Sequence, residues 1–328
     1  MGNTVWKEYL DEIPPVIRAG CEAPEMERLR RVGMNCGCEY TSFPLFRKLK
    51  THYSRFDHSL GAALLVWRFT GDPAQSLAAL FHDIATPCFA HVVDFMRGDY
   101  MVQESTEEKT REIIVGSEAI RRLLREQGLS PDDVADYHLY PVADNDPPRL
   151  SADRLEYTLG NLLNFGRRGR DRLRFLLDDL TPGTAEDGNA ELVFRTPACA
   201  LDCGRGALEM GRIYVSDEDR FAMQTLAELL RNAVCDGVIT MDDLWMDEPF
   251  VIRKLQEAPV YAERWEHFRA FRTIVRGRPG GIVVHAKKRY IDPLVLGEGR
   301  LSAVSAPFVS DVRAFLDESQ EEPLSGET

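Results

Sequence analysis

No stretch of this sequence stays apolar for the roughly 18 residues that a membrane-spanning helix needs, which excludes a helical span by pattern. The start, MGNTVWKEYLDE, is acidic and lacks the basic-then-apolar order of a secretion signal. Trp6 also stands where N-myristoylation wants Ser or Thr, so the cytoplasm is the expected compartment. Positive charge is scarce: 40 Lys and Arg face 53 Asp and Glu, a formal charge of −13. That balance gives no broad attraction to nucleic acid or to an anionic membrane, and neither is expected as a stable partner. An anionic ligand therefore has to meet a local basic patch. Seven cysteines are an odd count spread through a long chain, which argues against a disulfide framework. Cys36, Cys38, Cys199 and Cys203 lack the two-residue gap usual in zinc clusters. Strand signals are few, confined to ELVF at 191–194 and GGIVVHAKKRYIDPLVL at 280–296, and no internal repeat is present.

Apolar residues make up 44% of the chain, enough to fill a sizeable core. Helical periodicity dominates from about residue 55 to 265. Asp72-Pro73 is a cap followed by Pro at the first helical position, and Pro87 closes the segment that follows. DNDPPR at 144–149 forces a restart, so LSADRLEYTLGNLLNFG begins a new helix with Asp153, Tyr157 and Asn161 at four-residue steps on one face. TPGTAEDGNA reads as a long surface loop and DESQEEPLSGET as a disordered tail. The expected fold is mainly α, a helical bundle over residues 1–180. A helical region with a small α+β C-terminal part follows at 181–316, then the tail at 317–328.

Chemistry concentrates at YSRFDHSLG and LFHDIATPCFAH. Adjacent residues on a helix point about 100° apart, so His82 and Asp83 reach one ion together only at a helix end. An imidazole with a carboxylate suits Zn, Mn or Fe, and further ligands are available in His58 and Asp153. His91 and Asp94 are three apart, a spacing that lets the carboxylate orient the ring and raise its basicity.

RFDHSLG, HDIATPCFAH and SADRLEY, in that order, resemble the HD-domain phosphohydrolases, in particular the deoxynucleoside triphosphate triphosphohydrolase branch, over roughly residues 25–170. The resemblance implies an HD-type helical bundle in which His58, His82, Asp83 and Asp153 hold one divalent transition metal ion, Fe, Mn or Zn, with Mg or Co as replacements in vitro. It also implies that His91 works beside the ion, that Arg55 and Arg154 contact phosphate, and that Tyr157 packs on a sugar, with Asn161 on the same helix face. A homo-oligomer is a further expectation of the same kind.

Two positions depart from the family pattern. Thr86 stands where relatives often carry a second His after the His-Asp pair, and Gln103-Glu104 replaces a His-Glu pair. Glu104 is then a candidate proton-transfer group beside His91. The expected activity is cleavage of a phosphoester in a nucleotide or another phosphorylated small molecule. A general nucleotide phosphatase and a nucleotide-binding regulator with a degenerate site remain as alternatives. A diiron HD enzyme needs two further histidine ligands between the His-Asp pair and Asp153; only His91 and His138 lie there, and His91 follows Asp83 too closely to be an independent ligand.

Overall fold

The computed structural model of the protein describes residues 8–97 and 109–328. Helix α1 (Arg55–Thr70) opens on Ser54, whose hydroxyl accepts from the Asp57 N–H at 3.2 Å while the Asp57 carboxylate accepts from the Ser54 N–H at 3.1 Å. This reciprocal cap satisfies donors that a helix start leaves orphaned, and it explains the charge of Asp57 without a ligand. α1 ends at Gly71, left-handed at φ 64°, with its N–H returned to Trp67 O. Asp72 then caps α2 (Pro73–Phe81) by accepting from the Ala74 N–H at 2.8 Å.

Residues Leu60 and Ala62–Val66 are buried on every side of α1, so it is a central helix rather than an amphipathic surface one. α2 packs along it. Beyond the short α3 (Val92–Arg97) and two further helices at Thr110–Gly116 and Glu118–Glu126, α4 (Ala152–Asn164) also packs on α1, after Ser151 caps it through the Arg154 N–H. α5 (Pro197–Tyr214) lies on α4, and α6 (Asp217–Cys235) lies on α3. One hydrophobic core runs from Tyr9 to Leu324 through all of these helices. Mainly helical architecture with a small sheet component is the fold.

Two segments differ from the sequence expectation. TPGTAEDGNA is not a loop: β1 (Leu180–Thr184) and β2 (Ala190–Phe194) form an antiparallel hairpin whose turn carries Gly188 at φ 85°. Pro182 is tolerated because β1 is the edge of a sheet ordered β1-β2-β4-β5, with β4 (Leu294–Val295) and β5 (Gly299–Arg300) completing it. The polar end of the chain is not disordered either. There β6 (Leu324–Glu327) pairs with β3 (Thr273–Arg276), Leu324 is buried, and Gly326 lies where a Cβ would come within 2.5 Å of Phe221 and 2.6 Å of Phe271. Composition hid this because the anchor is a glycine against two rings. Of the 280–296 stretch only Leu294 and Val295 join a ladder, with an isolated bridge at Ile282; the rest is irregular chain with turns at Gly280 and Leu296.

α1 and α4 approach closely at Gly61, where an added Cβ would sit 2.4 Å from Glu156 Oε1. Overpacking of this kind displaces a buried side chain. Gly61→Ala is therefore expected to lower unfolding stability by about 1–3 kcal/mol. Urea melts check this, and an unchanged midpoint would contradict the packing described.

Candidate functional site

Two imidazoles and two carboxylates meet where the first turn of α1, the end of α2 and the first turn of α4 converge. His82 is the residue immediately after α2, so His82 and Asp83 stand at a helix end as their adjacency requires. The ligating atoms of His58, His82 and Asp83 lie within 4.8 Å of one another. Asp153 Oδ1 is 3.0 Å from His58 Nε2 and 3.4 Å from His82 Nε2.

Each group is held from behind. His82 Nδ1 is 2.7 Å from Ala79 O, and a carbonyl only accepts, so Nδ1 carries the proton and Nε2 faces the cluster. His58 Nδ1 donates to Glu156 Oε2 at 2.6 Å. Thr86 Oγ1 donates to Asp83 Oδ1 at 2.6 Å, and Arg55 Nη1 donates to Asp83 Oδ2 at 3.1 Å. Thr86 thus orients a carboxylate. Rings whose far nitrogens are engaged, with carboxylates likewise fixed, have the arrangement found around metal ligands. The mixed nitrogen and oxygen donor set fits a divalent ion.

The charges reinforce this. Burial disfavours the imidazolium of His58, but hydrogen bonds to Asp153 and Glu156 outweigh it and raise the pKa to about 10. His82 is also raised, burial being overcome by Asp83 and Asp153. Burial pushes both aspartates up, yet Arg55 and the imidazoles hold Asp83 below the usual carboxylate range, and the two histidines do the same to Asp153. Without a cation, protons on the rings balance the carboxylates.

A cavity of about 230 Å³ opens on this cluster. His91 lines it, with Nδ1 3.0 Å from the fully buried Asp94. The chain reaches His91 through Phe89 and Ala90, both left-handed at φ 59° and 43° and both fully buried. Such strained non-glycine residues persist only where packing over-determines them. Burial lowers the His91 pKa against the pull of Asp94, with Arg55 and Arg289 adding to the lowering, so the ring is neutral at pH 7. Tyr157 and Asn161 line the same cavity, and Asn161 Nδ2 donates to Tyr214 Oη at 2.8 Å. Lys287 and Arg289 reach it from the irregular 280–296 segment, whereas Lys288 Nζ turns away to Leu316 O at 2.6 Å.

Arg154, expected at phosphate, is elsewhere. Its guanidinium folds back on the loop before α4, bonding Arg149 O at 2.8 Å and both carbonyl oxygens of Asn145, and pairing with Asp144 at 2.9 Å. The part-buried carbonyls of that turn, together with Asp144, compete successfully for it. Glu104 and Gln103 lie outside the described residues. Glu156 was missed by the sequence reading. It is three residues beyond Asp153, but only the approach of α1 shows that it, with Tyr53 Oη donating at 2.5 Å, anchors His58.

No family model matches the chain. It is 29% identical over 132 residues to the uncharacterized protein YdhJ of Bacillus subtilis, an alignment covering 40% of this chain and 40% of that protein. It is 24% identical over 204 residues to a protein of Cordyceps militaris named metal-dependent phosphohydrolase cns2, covering 62% of this chain and 55% of the relative. The chain thus spans about two fifths and about half of these relatives. The second similarity and the His58, His82, Asp83 cluster together support the HD superfamily resemblance.

Because a metal must displace the proton that His58 holds at neutral pH, apparent metal affinity is expected to rise from pH 6 to 8, by up to about tenfold per unit for each proton displaced. Glu156→Gln is expected to weaken binding by about 10–100-fold while the fold survives. Chelator competition measures both, and pH-independent affinity would contradict the charge assignment.

Proposed function

We propose that the chain is a metal-dependent phosphohydrolase acting on a phosphoester of a nucleotide. One observation carries this reading: the four-donor cluster, His91 held by the buried Asp94, and the cationic side chains of Arg55, Lys287 and Arg289 meet at one cavity, which Asp94 itself does not line. His58, His82, Asp83 and Asp153 would hold one divalent ion. The chemistry such an ion supplies when bound is polarisation of a phosphoryl oxygen and activation of a water.

The residues around it divide the remaining work. Arg55 is buried, and while Nη1 holds Asp83 its Nε donor has no hydrogen-bond partner among the described residues. Arg55 lines the cavity, and a guanidinium there is a charge-assisted donor for a phosphoryl oxygen. Neutral His91 donates from Nδ1 to Asp94 and so presents Nε2 as an acceptor, the state a general base needs. Tyr157 offers a ring face beside the cluster, its centroid 6.4 Å from that of His58.

The resemblance to deoxynucleoside triphosphate triphosphohydrolases carries the finer proposal, release of tripolyphosphate from a nucleoside triphosphate. Expulsion of a nucleoside 5′-alkoxide needs a proton donor, and Thr86 is spent on Asp83, so His91 or Glu104 would serve. A screen of nucleoside mono- and triphosphates with added Mn or Fe, products resolved by anion exchange, tests both levels. Nucleoside with tripolyphosphate supports the finer proposal, and stepwise orthophosphate replaces it with a general nucleotide phosphatase. No turnover of any nucleotide would leave a binding regulator and overturn the proposal.

His91→Ala is expected to keep its metal yet lower kcat by about 10²-fold or more, with a milder loss in Asp94→Asn. Since burial lowers the His91 pKa, the wild-type rate is expected to fall on the acid side only below the ordinary histidine range. Loss of metal in His91→Ala would make His91 a ligand instead.

A further inference from the structure

One polar side chain in the cavity has no part in the cluster just described. Asp219, in the first turn of α6, lines the cavity and is only 7% exposed. Its backbone N–H is capped by Ser216 at 3.2 Å and its backbone carbonyl takes the Cys38 thiol at 3.9 Å. For its carboxyl, that same weak thiol is the one donor among the described residues. The neighbouring Arg220 does not serve it, because its guanidinium is taken by Val215 O at 3.1 Å, Val284 O and Asp217 at 2.7 Å. A carboxyl buried to this extent is ordinarily paired.

Its place in the cavity says what would pair with it. From His58, ring centroids step 6.4 Å to Tyr157 and 6.3 Å to Tyr214, and both tyrosines line the cavity with Asp219. Donors for an anion, Arg55 with Lys287 and Arg289, stand against an acceptor in Asp219. Ionised or protonated, a carboxyl keeps an oxygen that accepts, so an O–H or N–H of the ligand would be bound by it. Resting on the phosphohydrolase reading, we infer that Asp219 is a specificity-determining residue that accepts a hydrogen bond from the alcohol portion of the phosphoester, a sugar hydroxyl or a base amino group. Burial also pushes its pKa well above the usual carboxylate range, so the group is sensitive to what faces it. A site built around a buried polar group discriminates strongly against ligands that leave it unpaired.

The test is isothermal titration calorimetry on the Mn-loaded full chain with adenosine and cytidine 5′-phosphates, their 2′,3′-dideoxy forms and their deaminated forms, inosine and uridine 5′-phosphates. The wild type is expected to lose about tenfold or more in affinity on removal of the hydroxyls or of the amino group, and which removal does so identifies the donor. Asp219→Ala is expected to bind the parent nucleotide about tenfold more weakly and to bring that ratio to within about twofold of unity. Asp219→Asn, which keeps the shape and one acceptor, is expected to fall between, which guards against a folding artefact. Equal ratios in wild type and both variants, or no binding of any of these nucleotides, would overturn the assignment. Phosphate release from the same samples reports separately: binding with discrimination but no release refutes hydrolysis and leaves Asp219 standing, while hydrolysis without discrimination does the reverse.

Discussion

The hydrogen bond between His58 Nδ1 and Glu156, 2.6 Å long and wholly buried, ties α1 to α4 at the point on which the site depends. It fixes the ring so that Nε2 turns toward Asp153, and it exists only because Gly61 lets the Glu156 carboxylate lie against α1. Tyr53 and Tyr9 both donate to the same carboxylate, from opposite ends of the N-terminal region. A charge at that depth is tolerable only with such a set of partners. Packing and site chemistry are therefore one constraint here: the close helix approach that fills the core is also what aims the imidazole.

Charge is the second organising feature. The chain carries 13 more acidic than basic residues, yet its cavity collects Arg55, Lys287 and Arg289 around an acidic cluster that suits a cation. Long-range attraction of a phosphate to this surface would be weak, so recognition of the proposed phosphoester would have to come from short-range, desolvated contacts. Arg55 stands between the two charges, with one guanidinium nitrogen on Asp83 while the residue also lines the cavity.

What was legible in the sequence is what local chemistry and order carry. Asp72-Pro73, Ser54 with Asp57, and Ser151 are caps that can be read within a turn of chain, and His82-Asp83 at a helix end follows from the angle between neighbours. Residues whose role depends on a distant element were not legible. Glu156 looks like any helix glutamate until α1 is placed beside it, and Asp219 like any first-turn acid until Cys38 and Tyr214 surround it. Arg154 sits where the family motif has a phosphate contact, but the carbonyls of the preceding turn claim it. ELVF of β2 was legible as a strand, but its partner β1 and the terminal β6 went unread because both are short, polar and carry a glycine, features that composition assigns to loops.

Every role assigned around the cavity depends on three separated segments supplying a single divalent metal site. Elemental analysis of the purified chain, with Asp83→Ala beside the wild type and circular dichroism to confirm that both are folded, tests it directly. About one divalent ion per wild-type chain and its loss in Asp83→Ala is the predicted result. Full metal occupancy in folded Asp83→Ala would contradict it.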